Sequence, residues 1–261
     1  MSFFRTIEIS NQAPDGLRFV TVKSQNLKGR GDITLFEPEG DFEDPLPLVI
    51  LLHGVYGSHW SWTFSGSAHL TAAEMIKNGD MKPMVIAMPS DGLWGDGAFY
   101  TEHSGKNFEK WIIEDVVEAA CEVSDLINKT SQKFIGGLSM GGFGALRIGA
   151  KYPKEFSAIS GHSSATRFSE FEQAVEEKYD WLGHQNWDVM TEILKNREQL
   201  PPFRFDCGVD DFLIEGNRLL NKQLNNHAIA HDYAEYPGEH TWEYWSEHVR
   251  KTFKFFSKYA V

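Results

Sequence analysis

The chain has 261 residues, of which 41% are hydrophobic and 24% charged, and its formal net charge is −12. That length suits one large α/β domain rather than a string of small modules, and the composition provides a sizeable core with no need of a disulfide scaffold. The negative charge disfavours nucleic acid and anionic membrane surfaces as partners, because both would repel the protein.

The N-terminus, Met1-Ser-Phe-Phe-Arg, has neither the basic start nor the apolar stretch of a secretion signal. No segment is long and apolar enough to span a bilayer. Both points lead to the expectation of a soluble, cytoplasmic protein. The first strand-like runs are Leu17–Lys23 and Asp32–Phe36, joined by Gly29-Arg30-Gly31; they predict antiparallel edge strands. A Pro- and acid-rich turn region over 38–47 leads to Leu48-Val-Ile-Leu-Leu52, the unbroken apolar run of a strand buried on both faces. Similar runs recur at Met84–Met88, Lys133–Gly137, Phe156–Ser160, Phe203–Cys207 and Asp232–Tyr236. Helical patterns lie between them at 68–78, 108–128, 140–151, 212–226 and 242–258. Such alternation predicts an α/β fold with a mostly parallel sheet and helices on both faces. Residues 163–200 exceed what one crossover needs and carry Phe168, Phe171, Tyr179, Trp181 and Trp187. They predict a small cap inserted into a single domain spanning 1–261. The two cysteines, Cys121 and Cys207, sit in apolar patterns and read as buried thiols.

The chemistry-bearing motif is Gly137-Leu138-Ser139-Met140-Gly141, of the form Gly-x-Ser-x-Gly. An apolar strand pattern precedes it and a helical pattern follows, which is the setting of a nucleophile elbow. The competing reading is a glycine-rich turn with Ser139 as an ordinary helix cap. A serine hydroxyl needs a base to take its proton. His240, in Tyr236-Pro-Gly-Glu-His240-Thr-Trp, lies on a loop between the last strand and the last helix. The acid belongs after the preceding strand, where Gly208-Val-Asp210-Asp211 offers two adjacent carboxylates. Acyl transfer also needs donors aimed at an oxyanion. The backbone N–H of Met140 is one, and the N–H of Val55, in His53-Gly54-Val55-Tyr56-Gly57, is the other.

These pieces resemble the esterase D-type branch of the α/β hydrolases, which includes S-formylglutathione hydrolases, tributyrin esterases, feruloyl and acetylxylan esterases, and mycolyltransferases. The resemblance runs nearly end to end. It rests on Ser24-Gln-Asn-Leu-Lys-Gly-Arg30, Leu51-Leu-His-Gly54, Gly136-Gly-Leu-Ser-Met-Gly-Gly142, Tyr152-Pro153, Cys207-Gly-Val-Asp-Asp-Phe-Leu-Ile214 and Gly238-Glu-His-Thr-Trp-Glu-Tyr-Trp245. It implies the α/β-hydrolase fold, with Ser139 as nucleophile, Asp211 as acid and His240 as base. The S-formylglutathione hydrolases usually carry Gly-Leu-Thr-Cys where this chain has Gly54-Val-Tyr-Gly57. That departure favours the tributyrin or carbohydrate esterase side, which the loop Ser90–Tyr100 also resembles.

Seven of the eight tryptophans fall in loops, in the expected cap or at a helix start, mostly after the C-terminal ends of strands, where open α/β sheets bind ligands. The candidate substrate-binding residues are Tyr56, His59, Trp94, His162, Trp181 and Trp242. For His59 and His162 a structural role competes. The expected activity is hydrolysis of short-chain acyl or carbohydrate-linked esters through an acyl-enzyme. A thioesterase and a non-catalytic binding protein on the same scaffold stand as alternatives. No metal or organic cofactor is implied. The partner is a small-molecule ester, and a homodimer stays open.

Overall fold

Three antiparallel strands open the structure, a computed structural model that describes residues 5, 7–10, 14–173, 175–176 and 186–261. They are β1 (Ile7–Ile9), β2 (Leu17–Ser24) and β3 (Gly29–Phe36). Gly29, Arg30 and Gly31 are not the turn expected of them. They begin β3, paired with Ser24, Lys23 and Val22. The turn is residues 25–28, closed by the Lys28 N–H on the Gln25 carbonyl at 3.2 Å. Gly31 serves packing instead: a Cβ there would stand 2.6 Å from the Trp111 ring.

Next come β4 (Leu48–Leu52), β5 (Val85–Pro89), a hairpin of β6 (Glu102–His103) and β7 (Lys106–Asn107), then β8 (Lys133–Leu138), β9 (Ala158–His162), β10 (Phe203–Gly208) and β11 (Asp232–Tyr236). All but the hairpin join one sheet in the order β1-β2-β3-β5-β4-β8-β9-β10-β11. β3 runs antiparallel to β5, and every pairing from β5 to β11 is parallel. Side chains alternate between faces along a strand. Leu48, Ile50 and Leu52 of β4 therefore enter one core, and Val49 and Leu51 the other. This double burial is why the strand reads as a continuous apolar run.

The helices are α1 (Ser61–Phe64), α2 (Ala68–Lys77), α3 (Phe108–Lys110), α4 (Val117–Val123), α5 (Met140–Lys151), α6 (Val189–Asn196), α7 (Ile214–Asn226) and α8 (Trp242–Tyr259). α3 passes into α4 through a π-helical stretch, Trp111–Val116. The helix expected to reach 128 stops at Val123, where Ser124 turns extended and its hydroxyl accepts from the Leu126 N–H. α2 and α8 cover one face of the sheet, with Ala72, Met75, Val249 and Phe253 in the core; α4, α5 and α7 cover the other, with Ala120, Phe143, Leu146 and Leu224. Of the interval 163–200, Phe168, Phe171 and Trp187 pack among Phe99 and Phe143, and α6 buries Val189 and Ile193. Tyr179 and Trp181 lie outside the described residues. Among the described residues, no helix is long and apolar enough to cross a membrane.

Candidate active site

Ser139 stands between β8 and α5 with φ 53° and ψ −117°. A positive φ is rare for any residue with a side chain and stores strain. The neighbouring glycines make the turn possible. A Cβ at Gly137 would collide with the Gly141 carbonyl, and one at Gly141 with the Leu52 carbonyl. Backbone bonds hold the turn from below: the Ser139 N–H donates to the His162 carbonyl at 2.9 Å, and the Ser139 carbonyl accepts from Phe143 at 3.0 Å. Only 7% of Ser139 is exposed.

Two loops at the C-terminal ends of β10 and β11 face it. They touch at Gly208, where a Cβ would meet the Gly238 carbonyl. After Gly208 the chain turns at once, with the Asp211 N–H on the Gly208 carbonyl at 3.2 Å. That turn buries Asp211 to 2% exposure and leaves Asp210 exposed. Asp211 Oδ1 accepts the Leu213 N–H at 2.8 Å, and Oδ2 accepts from His240 Nδ1 at 2.8 Å. With its Nδ1 proton given to a carboxylate, His240 presents a bare Nε2, which accepts the Ser139 hydroxyl at 3.0 Å. The imidazole is wedged between the rings of Phe212 (4.5 Å) and Trp245 (4.9 Å). Serine, imidazole and carboxylate thus form one hydrogen-bonded chain, with the geometry that moves a proton off a hydroxyl.

A cleft of about 700 Å³ opens over Ser139, lined by Gly54, Val55, Tyr56, Trp60, Phe212, His240, Trp242 and Trp245 among others. Gly54 lies against Ser139: a Cβ on it would be 3.1 Å from Ser139 Cβ. Val55 follows in the same wall. Met140 is the first residue of α5, so its N–H has no acceptor within the helix. A second cavity of about 640 Å³ lies at the other end of β10 and β11, around Pro201, His227 and Tyr259, far from this chain of bonds.

Of the expected substrate-binding residues, Tyr56 (65% exposed) and Trp242 line the cleft. Three others do not. His59 faces β3, its Nδ1 bonded to Thr34 Oγ1 at 2.8 Å. Trp94 packs into the core edge-on to His103 at 4.7 Å. His162 is fully buried one strand over from the elbow, bonded to Asp206 at 3.1 Å and Thr252 at 2.6 Å. Burial alone would raise the Asp206 carboxyl, but His162 and Arg204 beside it hold it well below the usual range. This polar cluster braces β9 against β10 and α8 and does not face substrate. Trp181 lies outside the described residues. Trp60 and Trp245, two of the seven tryptophans expected near the strand ends, also line the cleft; Phe212 lines it unforeseen, its available signal being its place directly after Asp211.

A family model described as "Putative esterase" matches residues 24–256. The chain belongs to this esterase family. An acetyl esterase from Caldicellulosiruptor saccharolyticus is 28% identical to this esterase over 244 residues, covering 85% of this chain and 87% of the relative. A solved ferulic acid esterase superposes with a TM-score of 0.82 at 21% identity, covering 98% of each chain. The S-formylglutathione hydrolase of Staphylococcus aureus superposes at 0.78 and 17% identity, covering 97% of this esterase and 99% of that chain. At such identities the structures speak for the fold, which is that of the α/β hydrolases. Family membership makes the protein an esterase.

Proposed function

We propose that the esterase acts through an acyl-enzyme on Ser139. His240 takes the hydroxyl proton, Ser139 attacks the ester carbonyl, and the N–H groups of Val55 and Met140 hold the oxyanion. Asp211 fixes the His240 tautomer and stabilises the imidazolium. His240 returns the proton to the leaving alcohol, and water then releases the acid. The observation that carries this reading is the unbroken bond chain from Ser139 Oγ through His240 to Asp211, at 3.0 and 2.8 Å. Labelling by a fluorophosphonate tests it: the wild type should be modified at Ser139, and Ser139→Ala should not be labelled at all.

The substrates we infer are esters of small acyl groups or of carbohydrates. The aromatic walls of the cleft support this, since such rings suit apolar acyl groups and sugar faces alike. The likeness to an acetyl esterase and to a ferulic acid esterase fold supports it too. A thioesterase reading draws on the S-formylglutathione hydrolase fold. Turnover of S-formylglutathione against an acetyl ester separates the two. The interval 163–200 is read as a cap on a single domain, and the bond from the Glu176 N–H to Asp96 at 2.7 Å ties its near edge to the 90–100 loop. The free thiols Cys121 and Cys207 agree with a reducing, cytoplasmic setting.

A further inference from the structure

His53 is 1% exposed, and both of its ring nitrogens are engaged by fixed groups. The Asp91 backbone N–H donates to Nε2 at 3.0 Å, so Nε2 carries no proton. The proton is then on Nδ1, which donates to the Gly54 carbonyl at 2.7 Å. Asp91 cannot shift away: its carboxylate accepts from the N–H groups of Leu93 (2.8 Å) and Ala98 (2.7 Å). The buried Tyr100 hydroxyl pins the His53 carbonyl at 3.0 Å. Burial pushes the imidazole below the ordinary histidine pKa, although the Asp91 carboxylate opposes this, which suits a neutral ring.

The consequence follows from peptide geometry. The carbonyl of Gly54 and the N–H of Val55 belong to one planar trans unit and point in opposite directions. The oxygen is held by His53 Nδ1 at 2.7 Å and, at a longer 3.1 Å, by the Gly57 N–H, and with it drawn to that side the Val55 N–H is left facing the cleft. A flip of this one peptide would put an oxygen where the oxyanion forms. Gly57 keeps the contact open: a Cβ there would stand 2.6 Å from His53 Nδ1 and 2.9 Å from the Gly54 carbonyl.

We infer that His53, held by Asp91, is a positioning residue that sets the orientation of the Gly54–Val55 peptide and so keeps the Val55 N–H aimed at the oxyanion. This rests on the proposed role of Val55. It makes the 90–100 loop part of the catalytic apparatus without contact to substrate.

The test uses substitutions at His53 that keep one bond or neither. His53→Leu removes both. Its kcat on a small ester should fall about a hundredfold, as for loss of one oxyanion donor, with KM within about threefold. Inhibition by a trifluoromethyl ketone, which mimics the tetrahedral adduct, should weaken in step with kcat/KM. His53→Asn places an amide N–H where Nδ1 was and should recover at least about tenfold over leucine. His53→Gln reaches the Nε2 position instead and should stay near leucine. Gly57→Ala, which leaves His53 in place, should lower kcat in the same way. The inference is overturned if His53→Leu or Gly57→Ala keeps kcat within about threefold, or if Gln rescues as well as Asn. Ser139→Ala is assayed alongside: if it retains turnover, the reading of the site fails and this inference with it. If it is inactive while the His53 and Gly57 variants are normal, the inference alone fails.

Discussion

At the scale of single residues, the bond chain through His240 makes two substitutions decisive. Ser139→Ala should lower ester turnover by on the order of a thousandfold or more with the fold intact, because in the proposed reaction its side chain carries the covalent step. Steady-state assay with circular dichroism as a folding control checks this. Asp211→Asn should cost several powers of ten. Its amide would donate to His240 Nδ1, forcing the proton onto Nε2, where it can no longer receive one from Ser139. Asp210→Asn, at an exposed position, should cost less than about tenfold. Measuring the pair on one ester tests the choice, and a reversed ranking would move the acid by one residue. Motif spacing made Ser139, His240 and the adjacent pair Asp210 and Asp211 visible as candidates, since each follows a strand with little chain to spare, and the family resemblance chose Asp211 from the pair. The substrate wall was less legible. His59, Trp94 and His162 sit near the right strand ends, yet their rings turn inward to Thr34, His103 and Asp206. Direction of a side chain on a loop or at a strand end is set by tertiary partners, which spacing does not encode.

At the scale of elements, β4 and β5 were the most legible, because they are buried throughout and nothing polar interrupts them. The errors fell where a residue has two uses. Gly31 reads as a turn but makes room for Trp111, and Ser124 ends a helix that its apolar neighbours would continue. The start of α8 carries a prediction of its own. Trp242 is wedged edge-on between Trp62 (5.5 Å) and Trp245 (5.3 Å), and a Cβ at Gly66 would meet its ring at 2.8 Å. A wall packed so closely cannot yield to a long acyl chain. Each methylene accommodated should gain about 0.8 kcal/mol, so kcat/KM should rise and then fall beyond roughly four to six acyl carbons. Trp242→Ala should move that maximum to longer chains. A p-nitrophenyl ester series from two to ten carbons checks both statements; a steady rise to ten carbons in the wild type would sink them.

At the scale of the whole molecule, burial lowers the pKa of several histidines: His53, His59, His69, His103 and His248. For His103, packed against Trp94 and Phe108, the value falls to about 4. Between the ordinary value of about 6.5 and that figure, the unfolded chain binds protons that the folded chain refuses. Stability is therefore full above about pH 6.5 and is lost as pH falls toward 4. Melting temperatures measured from pH 7.5 to 4.5 should decline through this window, and His103→Gln should flatten the decline. The whole fold also works against one of its own residues. β4, β8 and β9 together hold Ser139 at φ 53°, a conformation that glycine adopts freely. Relief of such strain is worth about 1–3 kcal/mol, so Ser139→Gly should melt above Ser139→Ala. An inactive copy released from selection would therefore find a sturdier chain one substitution away. Among descendants of this gene, thermal robustness at the elbow would be a mark of lost activity, and fragility there a mark of lineages still at work.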